Sequence, residues 1–333
     1  HRADDPAVAA ALAERARDPL FQNGSVRWVD GVLSFVYKAA AEIGELGDNT
    51  AALRSAIDGD DLLRSVLRRP GARLSIVGHT RWASVGIISE ANCHPINSEE
   101  AEQAAGVQRP YVVAALNGDV DNHADVKVEL GLQIPGPITT DAKVIPAATA
   151  RHAADTNGDL VEAFRRSVDS FDGSVAIAAM SAEHPDRVLL ALRGSGQGLY
   201  IGLADDLFVV ASEPYGMVEE TMHYVRVDGE TPARDGDPHS RGQLFVLDAS
   251  RAGELAGMQR YAYDGSPIPL TSDDVATAQV TTRDIDRGDA QHFLLKEISE
   301  SPESLRKTLR GKIVDEGGRL RAVVGERALP PSI

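Results

Sequence analysis

Cysteine is almost missing from this sequence. Cys93 stands alone, so no disulfide can form within the chain. Long apolar runs are missing too: none approaches the ~20 residues that a membrane-spanning helix requires, and no segment has the order of a secretory signal. Positive charge is in deficit, with 34 Lys and Arg against 50 Asp and Glu and a net charge of −16. Nucleic acids and anionic membranes both need a basic face, so neither is an expected partner. The histidines show no metal-ligand spacing. The glycine-rich run Arg193-Gly194-Ser195-Gly196-Gln197-Gly198 lacks the Lys-Ser/Thr and the following helix of a phosphate loop, and it reads as a turn between strands. What these absences leave is a cytoplasmic type of protein without metal or organic cofactor.

What is present suits a large soluble core: 333 residues, 43% of them apolar, enough for one big domain or two small ones. Periodicity and capping residues predict helices over 4–18, 48–57, 60–68, 139–154 and 158–170. A strand or hairpin is predicted over 25–37. Continuous apolar runs predict buried strands at Leu74–Val77 and Tyr111–Leu116. Hairpins follow at 175–180 with 187–192, and at 199–203 with 207–211. Residues 233–268 read as an insertion carrying an extra strand (244–247) and a short helix. An amphipathic helix begins near Gln291 and is followed by a break.

Three places carry possible chemistry. The first is Gly78-His79-Thr80-Arg81-Trp82-Ala83-Ser84, where a guanidinium at a strand end can clamp a carboxylate and an indole can lid a small ligand. On residues alone, a core strand with one salt bridge and one packed Trp is the more ordinary explanation. The second is Asn117-Gly118-Asp119, which ends an apolar run and reads as a turn dipeptide. The third is Thr139-Thr140-Asp141, where Asp141 reads as a helix cap.

Taken together these segments are more specific. Gly78–Ser84 followed by Asn92-Cys93-His94-Pro95 resembles the Gly-x-His-Thr-Arg-Trp-Ala-Thr…Asn-Ala-His-Pro signature of class II glutamine amidotransferases. Within that class it resembles the glutamine–fructose-6-phosphate aminotransferase (glucosamine-6-phosphate synthase) family. Leu116-Asn117-Gly118-Asp119-Val120-Asp121-Asn122-His123 is similar to the family's His-Asn-Gly-Ile-Ile-Glu-Asn-His. Thr140-Asp141 with Val144-Ile145 is similar to its Ser-Glu-Thr-Asp-Thr-Glu-Val-Ile. The tail from His292 through Lys296-Glu297-Ile298 to Thr308-Leu309 and Gly311 is similar to the segment that joins the family's glutaminase and sugar-isomerase domains. The likeness covers most of 35–230 and 285–320, and is loose over 35–47.

The resemblance implies an α+β fold, the four-layer αββα sandwich of the N-terminal-nucleophile (Ntn) hydrolases. It implies a type 2 glutamine amidotransferase domain over 1–285 and a linker over 286–333 toward a sugar isomerase (SIS) domain. The implied activity is hydrolysis of L-glutamine to glutamate and ammonia, the ammonia serving to aminate fructose 6-phosphate. Arg81 is implied to clamp the α-carboxylate and Asp141 the α-ammonium. Asn117 and Gly118 would hold the oxyanion, Trp82 would close the site, and Ser84 stands where the family has Thr. Val85 replaces a family His. The implied partners are L-glutamine, the isomerase domain and a second copy of the chain, joined through that domain.

The family's nucleophile is an N-terminal Cys whose own α-amine is the base. This sequence begins His1-Arg2-Ala3-Asp4-Asp5, which is read as a cut through a longer protein. The alternative is a non-catalytic glutamine-binding or regulatory relative. Cys93 stands where the family has Ala, and on an extended chain its neighbour His94 points the other way, so the two are not expected to form a nucleophile–base pair.

Overall fold

The computed structural model describes residues 6–29, 31–40, 47–80, 85–100, 110–234, 236–237, 240–278, 290–310, 312–315 and 317–322. Contacts divide the chain into two compact units, 1–279 and 280–333. In the first unit, α1 (Pro6–Arg15) precedes a hairpin of β1 (Val26–Val29) and β2 (Val32–Phe35), then α2 (Asp48–Asp58) and α3 (Asp61–Leu67). Next come β3 (Ile96–Asn97), β4 (Val112–Gly118), α4 (His123–Glu129), α5 (Val144–Asp155) and α6 (Leu160–Asp169). The strands β5 (Val175–Ser181), β6 (His184–Arg193), β7 (Tyr200–Leu203), β8 (Phe208–Ala211) and β9 (His223–Arg226) follow. The unit closes with β10 (Gln243–Asp248), β11 (Met258–Ala262) and β12 (Val275–Thr277).

Two antiparallel sheets form the centre, one in the order β11-β10-β6-β5-β4-β3 and one in the order β12-β9-β7-β8. Side chains alternate between faces along each strand, and the burial follows that alternation. Val175, Ile177, Leu189, Ala191, Leu244 and Val246 meet α5 and α6 through residues such as Ile145 and Phe164. Their neighbours Ala176, Leu190, Leu192, Phe245 and Leu247 face the other way, onto Ile201 and Val225 of the second sheet. Each fully buried aliphatic or aromatic side chain in such a layer contributes ~1.5–3 kcal/mol. The described residues therefore stack helices on one sheet and that sheet on another, a mixed α and β architecture. The strand expected at 244–247 is β10, the expected short helix is two 3-10 turns (Ala249–Arg251 and Leu255–Gly257), and β11 follows as an unexpected second strand; β10 and β11 form one end of the larger sheet.

Helix α6 shows how directly the pattern encodes the element. Asp159 caps it, accepting from Val161 N and Glu162 N at 3.1 Å, and Leu160, Ala163, Phe164, Ser167 and Val168 are buried at helical spacing. α5 is preceded by one 3-10 turn, Asp141–Lys143, and carries Pro146 in its first turn, where a missing N–H costs no helical bond.

Two expectations are corrected. Residues 72–80 form no strand, and Leu74 and Ile76 are 59% and 79% exposed. A buried strand needs ladder partners for its backbone; no described strand lies alongside, since β3 pairs with β4 only at Val113 and Ala114. And β4 does not stop at Leu116: Asn117 and Gly118 continue the ladder opposite Ala176 and Val175.

The second unit holds α7 (Phe293–Leu309) and a hairpin of β13 (Ile313–Asp315) and β14 (Leu320–Ala322). α7 runs unbroken through Pro302 and ends at Leu309. No helix of the described residues is long and apolar enough to cross a membrane.

Candidate functional site

At the end of β4 two chain crossings admit only glycine. Gly118 has φ +114° and lies so close to Ser174 O that any Cβ would overlap it. Gly173, with φ +109°, lies as closely against Asp119 O. Asp119 N donates to Ser174 O at 3.2 Å and Asp121 N to Asp172 O at 3.0 Å, so the 118–121 segment is laced to 172–174. Asn122 finishes the lacing, donating to Ser170 O at 2.8 Å and accepting from Asp172 N at 2.9 Å. The outcome is a rigid strand end that presents an exposed Asn117 beside a half-buried Gly118.

Asp141 meets this strand end from the other side. Its Oδ2 accepts from Val120 N at 2.8 Å, two residues beyond Gly118, and Thr140 Oγ1 donates to its Oδ1 at 3.3 Å. The side chain is buried, and it does not cap its own helix: Thr140 is the cap position of the 3-10 turn and makes no side-chain cap bond. A carboxylate spent across the structure in this way ties the 139–141 loop to the Asn117–Gly118 strand end. The structure therefore brings Asn117, Gly118 and Asp141 together.

Arg81, Trp82 and Ser84 lie outside the described residues. Both flanks of that stretch are anchored at the same place. His79 stacks on His94 with ring centroids 4.5 Å apart, and His94 Nδ1 accepts from Leu116 N at 3.3 Å, next to Asn117. Gly86 (φ +85°) packs on the other half: a Cβ there would sit 2.9 Å from Thr139 Oγ1 and 3.2 Å from Thr140 N. Of the described residues, His79 thus lies by the β4 end and Gly86 against the Asp141 loop.

Sequence reasoning assigned no role to three residues that build this arrangement. Asn92 bonds the 139–140 backbone. His94 takes up the Leu116 amide. Lys143, fully buried, donates to Asn97 O and Glu99 O at 2.6 Å each, fastening the 3-10 turn to the end of β3. Burial pushes the Lys143 ammonium down to about 7, against the pull of Glu100 and Glu99. Lys38 is pushed down to about 8, also by burial, against Cys93 and Glu90. The only hint was that Asn92 and His94 fall inside a recognisable motif. The thiol of Cys93 is turned to the carbonyl of Ala39, 3.7 Å away.

Curated relatives of the chain are glutamine-using aminotransferases. In particular, the glutamine–fructose-6-phosphate aminotransferase (isomerizing) of Streptococcus pneumoniae strain R6 is 25% identical over 299 residues, 89% of this chain and 41% of that protein. The protein of the same name from Idiomarina loihiensis is 28% identical over 276 residues, covering 78% of this chain and 39% of its own length. That from Xanthomonas campestris pv. campestris is 33% identical over 251 residues, 74% of this chain and 35% of its own. The chain spans about two fifths of these relatives' length or less. No protein-family model matches it. Among solved structures, glutamine phosphoribosylpyrophosphate amidotransferase from B. subtilis overlaps 56% of this chain and 34% of its own, at TM-score 0.38 and 18% identity. A second, described as the allosteric regulatory enzyme of purine biosynthesis, overlaps 52% and 31% at TM-score 0.35 and 22% identity.

Proposed function

We propose that this chain is the glutaminase part of a glutamine-dependent amidotransferase. In this reading it hydrolyses L-glutamine to glutamate and ammonia in the cytoplasm, and the ammonia aminates fructose 6-phosphate to glucosamine 6-phosphate on a sugar isomerase domain. The observation that carries the reading is the 2.8 Å bond from Val120 N to Asp141 Oδ2. It puts a carboxylate suited to an α-ammonium beside a strand end suited to an oxyanion, on residues that match the resembled motifs one by one.

The roles follow from the chemistry. A tetrahedral intermediate formed at the glutamine side-chain amide carries its charge on oxygen, and the Asn117 amide and Gly118 N–H would be the donors that meet it. Asp141 would bind the α-ammonium and Arg81 the α-carboxylate, a bidentate charge-assisted pairing. Trp82 would exclude water and steer ammonia, and Ser84 would supply a hydroxyl. The nucleophile would be an N-terminal Cys with its own amine as base. The fold would be the four-layer αββα sandwich, with 286–333 leading to the isomerase domain and the oligomer formed through it.

A second reading is a glutamine-binding or regulatory module without turnover. Glutamine titration by calorimetry together with a glutamate-release assay on the full-length source protein separates the two. Binding with turnover supports the glutaminase, binding alone the module, and neither would contradict both. For the Arg81→Ala variant, loss of a charged pairing worth about 1.5–3 kcal/mol raises the glutamine KM roughly 10- to 100-fold, with little change in unfolding midpoint. Equal loss of affinity and stability would remove the clamp role.

A further inference from the structure

We propose that Asn92 is the positioning residue that presets the Asp141 carboxylate for the α-ammonium of an amino acid ligand, an inference that rests on the glutamine-site reading of Asp141. Asn92 is 1% exposed. Its Oδ1 accepts from Thr139 N at 2.7 Å and Thr140 N at 3.0 Å, the two amides immediately before Asp141. Its Nδ2 lies within bonding distance of Ile87 O (3.0 Å), Ser89 Oγ (3.2 Å) and Thr139 Oγ1 (3.0 Å). One amide side chain therefore holds the 87–89 turn and the 139–140 loop together across 47 residues of sequence.

The consequence falls on Asp141. With the peptides on its N-terminal side fixed by Asn92 and Lys143 fastened to Asn97 O and Glu99 O on the other, the backbone at Asp141 has no freedom to swing. One carboxylate oxygen is occupied by Val120 N at 2.8 Å. The other, Oδ1, takes the longer 3.3 Å bond from Thr140 Oγ1 among the described residues, and in this proposal it is the oxygen that meets the ammonium. Two residues on from Asn92, His94 takes the Leu116 amide, so the tripeptide 92–94 is a strut between the two halves of the site. A ligand that must bridge a carboxylate and an oxyanion donor gains from that fixed separation, because the ordering is done before it arrives.

The test has two parts, on the full-length source protein with L-glutamine as probe. Hydrogen exchange in the absence of glutamine should find the Thr139 and Thr140 amides already protected. Protection that appears only when glutamine is added would overturn the presetting. Asn92→Ala should then weaken glutamine binding about tenfold or more while kcat changes by less than about threefold. Asn92→Asp, which retains the acceptor for both amides but loses the donor to Ile87 O, should bind glutamine more tightly than the alanine variant and more weakly than wild type. Alanine and wild type binding glutamine equally would overturn the role. Should the alanine variant not fold, the exchange result decides alone. If the wild type binds no glutamine while the two amides are protected, the reading of the site fails and not the clamp.

Discussion

Gly118 leaves the sequence no choice. A Cβ there would occupy the space of Ser174 O at a φ of +114°, so Gly118→Ala is expected to cost roughly 2–5 kcal/mol from backbone strain and overlap together. Urea denaturation measures it, and a cost below about 1 kcal/mol would mean the crossing is loose. Asp141 permits a finer dissection. In Asp141→Asn an amide oxygen can still accept from Val120 N, so stability should move by less than about 1 kcal/mol, while the lost charge raises the glutamine KM roughly 10- to 100-fold. Asp141→Ala gives up both. If the Asn variant bound glutamine as well as wild type, the carboxylate would be a structural tie and nothing more.

At the scale of elements, the turn fastened by Lys143 makes a prediction about pH. Its amine sits near 7 in the folded chain and near 10.4 unfolded, so between those values the unfolded chain binds more protons. Stability should therefore rise with pH across that window, by on the order of 1 kcal/mol per unit at most, with the burial penalty fully present below about 7. Lys38 acts in the same direction above about 8. Unfolding free energies at pH 7, 8 and 9 check this: Lys143→Met should flatten the slope, and an unchanged slope would mean that Lys143 is not its source.

The elements also show what a sequence can and cannot say. β4 and α6 were legible because their apolar residues fall at the period of one element and their flanks hold a turn or a cap. Leu74 and Ile76 are apolar too, yet exposed: hydrophobicity records what a residue gains by burial, not which strand will pair with it. Asn117, Gly118 and Asp141 stood out through their motifs, whereas the contacts uniting them did not. The Val120–Asp141 bond spans 21 residues and the Asn92–Thr139 bond 47, distances to which no local period refers. Lys143 was silent for the same reason, since nothing in Ala142-Lys143-Val144 marks a lysine whose amine lies under β3.

For the molecule as a whole, the two-sheet core of the first unit serves to bring three loops to one end of β4. The proposed function puts glutamine hydrolysis at this end. An electrophilic glutamine analogue applied to the full-length source protein, with the adduct located by peptide mass spectrometry, tests it most directly. A glutaminase should give a single adduct on an N-terminal Cys, blocked by excess glutamine and weakened by Arg81→Ala. An adduct on Cys93 would put the site elsewhere, and an enzyme that releases glutamate without forming the N-terminal adduct would contradict the account.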